Sequence, residues 1–149
     1  MKVAFLTAGG NAPCLSASIG MLINEYYNYD KSTEFVGYLY GYKGLLLDNK
    51  VKLKYHHDLK NLCKFGGSVL GNSRVKLTNL DDCLSKGYIE DGQIPLEVAA
   101  NQLITDKVDV LHTIGGDDTN TTAGELASYL AESGYKLTVV GLPKTVDND

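Results

Sequence analysis

The chain has no apolar run long enough to cross a bilayer, so no membrane partner is expected. It lacks a cysteine framework as well. Cys14, Cys63 and Cys83 are too few and too widely spaced for a disulfide scaffold. We read them as reduced, partly buried thiols, with Cys14 a small packing residue rather than a nucleophile. A surplus of positive charge is missing too. The formal net charge of −4 argues against a nucleic-acid partner. Any anionic ligand must then be drawn by local N–H groups, a few basic side chains or a metal ion. Arginine is nearly absent: Arg74 stands alone among thirteen lysines, which points to a geometric rather than a solubilising role. No internal repeat, low-complexity tract or flexible linker is present, and 149 residues fit one domain or one lobe of a larger protein.

What is present is an alternation of strand and helix. The opening "MKVAFLTAGG" has too short an apolar segment for a signal peptide, and glycines interrupt it. Val3–Thr7 reads instead as the first buried strand of a cytoplasmic protein. Leu15, Ile19, Leu22, Ile23 and Tyr26 recur at helical spacing after Pro13. "EFVGYLYG" reads as a second strand, and Val51–Lys64 as a mixed segment with His56 and His57 in a solvated loop rather than a zinc site. Leu96 to Ile104 marks another helix, followed by the strand "VDVLHTI". The next helix carries Ala123, Leu126, Ala127 and Leu130 on one face, with Thr122 and Glu125 at capping-box spacing and Gly134 at its end. "KLTVVGL" is the last strand. This order predicts an α/β, Rossmann-like three-layer sandwich with a mostly parallel sheet.

In such a sheet, ligands lie outside the carboxyl ends of the strands. Three unusual stretches fall there: "TAGGNAPC", "TIGGDDTN" and "LPKTVDND". Gly9 and Gly10 permit close backbone approach at a helix start, where free N–H groups suit a phosphate. Steric need in a strand–helix turn explains the same glycines. Asp117 is a natural magnesium ligand beside phosphates, although one aspartate there also suits the helix dipole. Asp118 needs a separate reason. Lys144, Thr145, Asp147 and Asp149 supply a cation and carboxylates for phosphoryl transfer, or simply a polar turn after a strand. Arg74, in "FGGSVLGNSR", is either a phosphate clamp or a surface cation.

Taken in order, the glycine turn, "GYKGLL", "GGSVLGNSR", "GGDD" and "PKTVDND" resemble the phosphofructokinases over nearly the whole chain. The resemblance implies Mg2+-dependent phosphoryl transfer to the 1-hydroxyl of fructose 6-phosphate. It implies that Gly10 lines the phosphoryl-donor site and Arg74 contacts the transferring phosphate. Asp117 matches the magnesium-associated aspartate, Thr145 would touch the transferred group, Asp147 matches the general base, and Asp149 the second acidic residue of that loop. In ATP-dependent members, glycines typically stand where this chain has Asp118 and Lys144. Asp118 would fill the room of a nucleotide's innermost phosphate, and Lys144 would suit a compact anion. The pair therefore resembles the pyrophosphate-dependent branch, with pyrophosphate and fructose 6-phosphate as substrates.

Asn11 departs from the aspartate many members carry. Residues 1–149 would be the phosphoryl-donor-binding lobe, incomplete because the chain ends within the active-site loop. The sugar-phosphate site would lie beyond it, partly on a neighbouring subunit of a homo-oligomer, so little turnover is expected from these residues alone. An ATP-dependent member, or a non-catalytic copy that binds phosphates, are the rival readings. Kinases with a lone "GGDG"-like turn are not expected to carry "PKTVDND".

Overall fold

A computed structural model of the chain describes residues 1–144, the side chains of His57, Asp58 and Lys60 excepted. Lys2–Thr7 forms β1, buried from Val3 onward. Cys14–Tyr29 is α1, Glu34–Tyr38 β2, Tyr42–Leu46 α2 and Lys50–Leu53 β3. A 3-10 helix follows at His57–Lys64, then Leu80–Ser85 (α3), Pro95–Thr105 (α4), Val110–Gly115 (β4), Asp117–Glu132 (α5) and Thr138–Pro143 (β5).

The sheet runs β3-β2-β1-β4-β5. All neighbours are parallel except β3, which pairs antiparallel with β2 at the edge. Alternation along β1 shows why both faces are covered. Val3 and Phe5 pack with Leu15, Ile19 and Ile23 of α1. Ala4 and Leu6 pack with Ala99, Ala100 and Leu103 of α4 and with Leu126 and Leu130 of α5. Each such leucine or isoleucine taken from water contributes roughly 1.5–3 kcal/mol. A strand buried on both sides reads as a continuous apolar run, and that run is what made β1 visible.

The structure departs from the sequence reading in four places. The second strand stops at Tyr38, because Tyr40 takes a left-handed backbone with φ 60° and turns the chain. The mixed segment holds a strand up to Leu53 and a 3-10 helix from His57; His56 does lie exposed in the irregular stretch between them, whereas His57 opens the 3-10 helix. The capping box at Thr122 and Glu125 does not form. Helix α5 starts earlier, at Asp117, so that spacing falls inside it, and Thr122 is buried. Cys14 and Cys63 are exposed and only Cys83 is buried. Cys14 shares its side of α1 with Ser18, whose hydroxyl donates to the Cys14 carbonyl, while the neighbouring Leu15 turns to the sheet. Gly134 does close α5, with φ 78° and its N–H on the Ala131 carbonyl.

Candidate functional site

The carboxyl ends of β1, β4 and β5 are tied together by backbone. The Ala8 N–H donates to the Ile114 carbonyl at 3.1 Å, and the Lys144 N–H to the Gly115 carbonyl at 2.9 Å. These bonds bring the three turns to one rim. A cleft of about 610 Å³ opens there, lined by Gly9, Gly10, Arg74, Asp117, Asp118 and Lys144 among others.

The glycine turn after β1 is held from two sides. Gly9 has φ 81°, a conformation that a side chain would strain. Its N–H donates to the Ser73 carbonyl at 2.9 Å, and the Asn72 amide donates to the Gly10 carbonyl at 3.1 Å. The Lys144 ammonium donates to the same carbonyl at 2.8 Å. It rides over the turn, 3.7 Å from where a Cβ on either Gly9 or Gly10 would stand.

The segment strapped across that turn explains how Arg74 arrives. Residues 74 to 77 alternate: Val75 and Leu77 are buried, while Arg74 and Lys76 are exposed to the cleft side. A period of two puts the two cations on one side of an extended stretch. Sequence reasoning singled out Arg74 and missed Lys76, although the alternation "RVKL" carried the signal.

On the opposite wall, β4 ends in two glycines and α5 begins at once. Gly116 caps the helix with extended backbone and no side-chain bond, and Asp117 and Asp118 occupy the first turn. Their N–H groups precede the first intrahelical acceptor, so they remain available to a ligand. Asp118 pairs with Lys76 at 2.6 Å across the cleft. Among the described residues, no ion pair or side-chain hydrogen bond takes Asp117.

Tyr42 sits in the same cleft because Gly41 turns the chain there. Gly41 has φ 64°, and a Cβ on it would lie 2.8 Å from the Thr7 carbonyl. The Tyr42 hydroxyl donates to the Thr119 carbonyl at 2.7 Å. Burial, with the charge of Glu125 adding to it, holds the phenol above its ordinary pKa, so it stays a neutral donor.

The structure thus gathers Gly10, Arg74, Asp117, Asp118 and Lys144. Thr145, Asp147 and Asp149 lie outside the described residues, directly after Lys144. Among the described lining residues, the cations Arg74, Lys76 and Lys144 face the carboxylates Asp117 and Asp118. The cleft is locally positive in a chain of net charge −4, which suits a small anion.

Fold and site together define a mostly parallel α/β protein of the doubly wound class, with a cleft at the carboxyl ends of the parallel strands. The chain belongs to the phosphofructokinase family, whose pattern matches residues 2–149. It is similar to a pyrophosphate–fructose 6-phosphate 1-phosphotransferase of Methylotuvimicrobium alcaliphilum, 59% identical, covering 99% of this chain and 37% of the relative. An ATP-dependent 6-phosphofructokinase of Corynebacterium efficiens is 37% identical, covering 100% of this chain and 38% of that protein. The crystal structure of a pyrophosphate-dependent phosphofructokinase from Marinobacter aquaeolei matches with a TM-score of 0.80 at 22% identity, over 99% of this chain and 34% of its own. That likeness is one of fold. The chain spans 37% of the length of the first of these relatives.

No group of three His, Cys, Asp or Glu side chains able to hold a metal gathers among the described residues. A hard divalent cation held by one or two carboxylates, with phosphate oxygens completing its shell, fits Asp117 on the cleft wall.

Proposed function

We propose that this chain is the phosphoryl-donor-binding lobe of a cytoplasmic enzyme that transfers phosphate from pyrophosphate to fructose 6-phosphate. The observation that carries the reading is the cleft itself. Lys144 lies on the glycine turn and Asp118 stands at the start of α5, on a cleft that Arg74, Lys76 and Lys144 line with positive charge. The names of the relatives supply the substrates.

In the reaction, the sugar's 1-hydroxyl oxygen bonds to one phosphorus of pyrophosphate. The bridging P–O bond breaks, orthophosphate leaves, and fructose 1,6-bisphosphate forms. Asp147 takes the hydroxyl proton. Arg74 and Lys144 hold the phosphates and offset charge on the transferring group, and Thr145 and Asp149 act with Asp147 in the transfer. The glycine turn lets the backbone approach the phosphates, and the first N–H groups of α5 face the same anion. Bound Mg2+, next to Asp117, would draw charge from the phosphate oxygens. The complete protein works as a homo-oligomer of at least two chains, which together supply the sugar-phosphate site.

The test is fructose 1,6-bisphosphate formation by protein made from the complete coding sequence, with pyrophosphate or ATP as donor. Turnover with pyrophosphate and little with ATP is expected. Preference for ATP would overturn the donor assignment, and inactivity with both would overturn the reaction.

A further inference from the structure

A carboxylate at the mouth of an anion site poses a physical problem. Asp118 narrows the space available to a nucleotide, but its charge repels a diphosphate as well. The structure holds a compensating charge. Lys76 reaches from the segment strapped over the glycine turn and meets the Asp118 carboxylate at 2.6 Å. Both residues line the cleft, from opposite walls.

The pair is not there to hold the fold. The two side chains are 54% and 75% exposed, and exposed ion pairs contribute little to stability. The Lys76 backbone is held independently, because buried Val75 and Leu77 flank it and the Ser73 carbonyl accepts from the Gly9 N–H. What the pair changes is the charge and position of the carboxylate. The ammonium offsets the carboxylate's charge toward an approaching anion, and at 2.6 Å it holds the Asp118 side chain toward the opposite wall of the cleft.

We infer that Lys76 is a specificity-determining residue: it neutralises Asp118 and fixes it across the cleft, so that the aspartate limits donor size without repelling pyrophosphate. This rests on the reaction proposed above. It separates Lys76 from Arg74 and Lys144, whose charge is directed at the phosphates themselves.

A double-mutant cycle in the full-length enzyme tests it, reading KM for pyrophosphate, KM for fructose 6-phosphate and kcat. Lys76→Met exposes the uncompensated carboxylate and should raise KM for pyrophosphate roughly tenfold, with KM for the sugar phosphate unmoved. Lys76→Arg should restore it. Adding Asp118→Asn to Lys76→Met should recover most of the loss, since the charge that needed compensation has gone. Additive effects, with the double variant as weak as Lys76→Met or weaker, would overturn the inference by making Lys76 a direct phosphate ligand. An unchanged KM in Lys76→Met would overturn it equally. Wild-type enzyme that ignores pyrophosphate would defeat the reaction first and this inference with it, so the two failures are told apart by the wild type alone.

Discussion

Asp106 and Asp118 are both aspartates beside a lysine, and they sit in opposite circumstances. The Asp106 side chain is only 11% exposed. It accepts from the Tyr38 hydroxyl at 2.6 Å, from Lys50 at 2.6 Å and from Gln102 at 3.0 Å. Lys50 also pairs with Asp48. Burial pushes the Asp106 pKa up, but the bonds from Lys50, Tyr38 and Gln102 outweigh that and hold it below the ordinary carboxylate value. Asp118, at 75% exposure, pairs with Lys76. The fold engages both carboxylate oxygens of Asp106, whereas in the cleft Asp118 has only Lys76 and Asp117 has no ion pair or side-chain hydrogen bond among the described residues. Saturated polar groups anchor packing; unsaturated ones at a rim of strand ends are free for a ligand.

The comparison breaks most visibly in activity. Asp147→Ala in the complete enzyme should lower kcat by roughly 10²–10⁴ with little change in unfolding midpoint. Near-normal turnover would remove Asp147 as the base. Asp118→Gly with Lys144→Gly should shift the ratio of kcat/KM for ATP over pyrophosphate upward, by enlarging the donor space. If that variant still rejects ATP, the size argument for the cleft is wrong. At the saturated cluster the effect should fall on stability instead. Asp106→Ala strands the Tyr38 hydroxyl, leaves Lys50 with Asp48 alone and should cost about 1–3 kcal/mol in urea unfolding, with KM for pyrophosphate unchanged. Loss of donor affinity without loss of stability would reverse the contrast.

The smallest effect concerns His112 on β4. It is 3% exposed, stacked on Phe5 at 5.5 Å, with its Nε2 2.9 Å from the Tyr26 hydroxyl. Burial lowers its pKa from 6.5 to about 4. The unfolded chain therefore binds this proton at higher pH than the folded one. The stability His112 contributes is complete above about pH 6.5 and falls as pH drops through the window from 6.5 to 4. His112→Phe should flatten the urea midpoint against pH in that window. An unchanged slope would mean that the ring does not control it.

The chain's local order was open to reading. Continuous apolar runs such as Val3–Leu6, and the helical spacing of Leu15, Ile19 and Ile23, announce themselves because burial on a sheet imposes a period. The two aspartates do open α5, but the capping-box spacing at Thr122 and Glu125 misleads, since a helix capped by glycine shows no side-chain capping pattern. Gly10, Arg74, Asp117, Asp118 and Lys144 were all nominated from sequence, and the fold does bring them to one cleft. Tyr42 was not, and for Lys76 the alternation "RVKL" shows only that it shares a side with Arg74, since nothing in the order of residues says which exposed side chain meets which across a gap.

By itself, then, the sequence determined the succession of strands and helices, the parallel architecture and the strand ends that carry polar chemistry. Those features follow from short-range periodicity and from the geometry of individual turns. Only the tertiary structure decided that Lys76 faces Asp118, that Lys144 lies on the glycine turn and that Asp106 is saturated. Such pairings join residues tens of positions apart, and their geometry depends on how the layers pack.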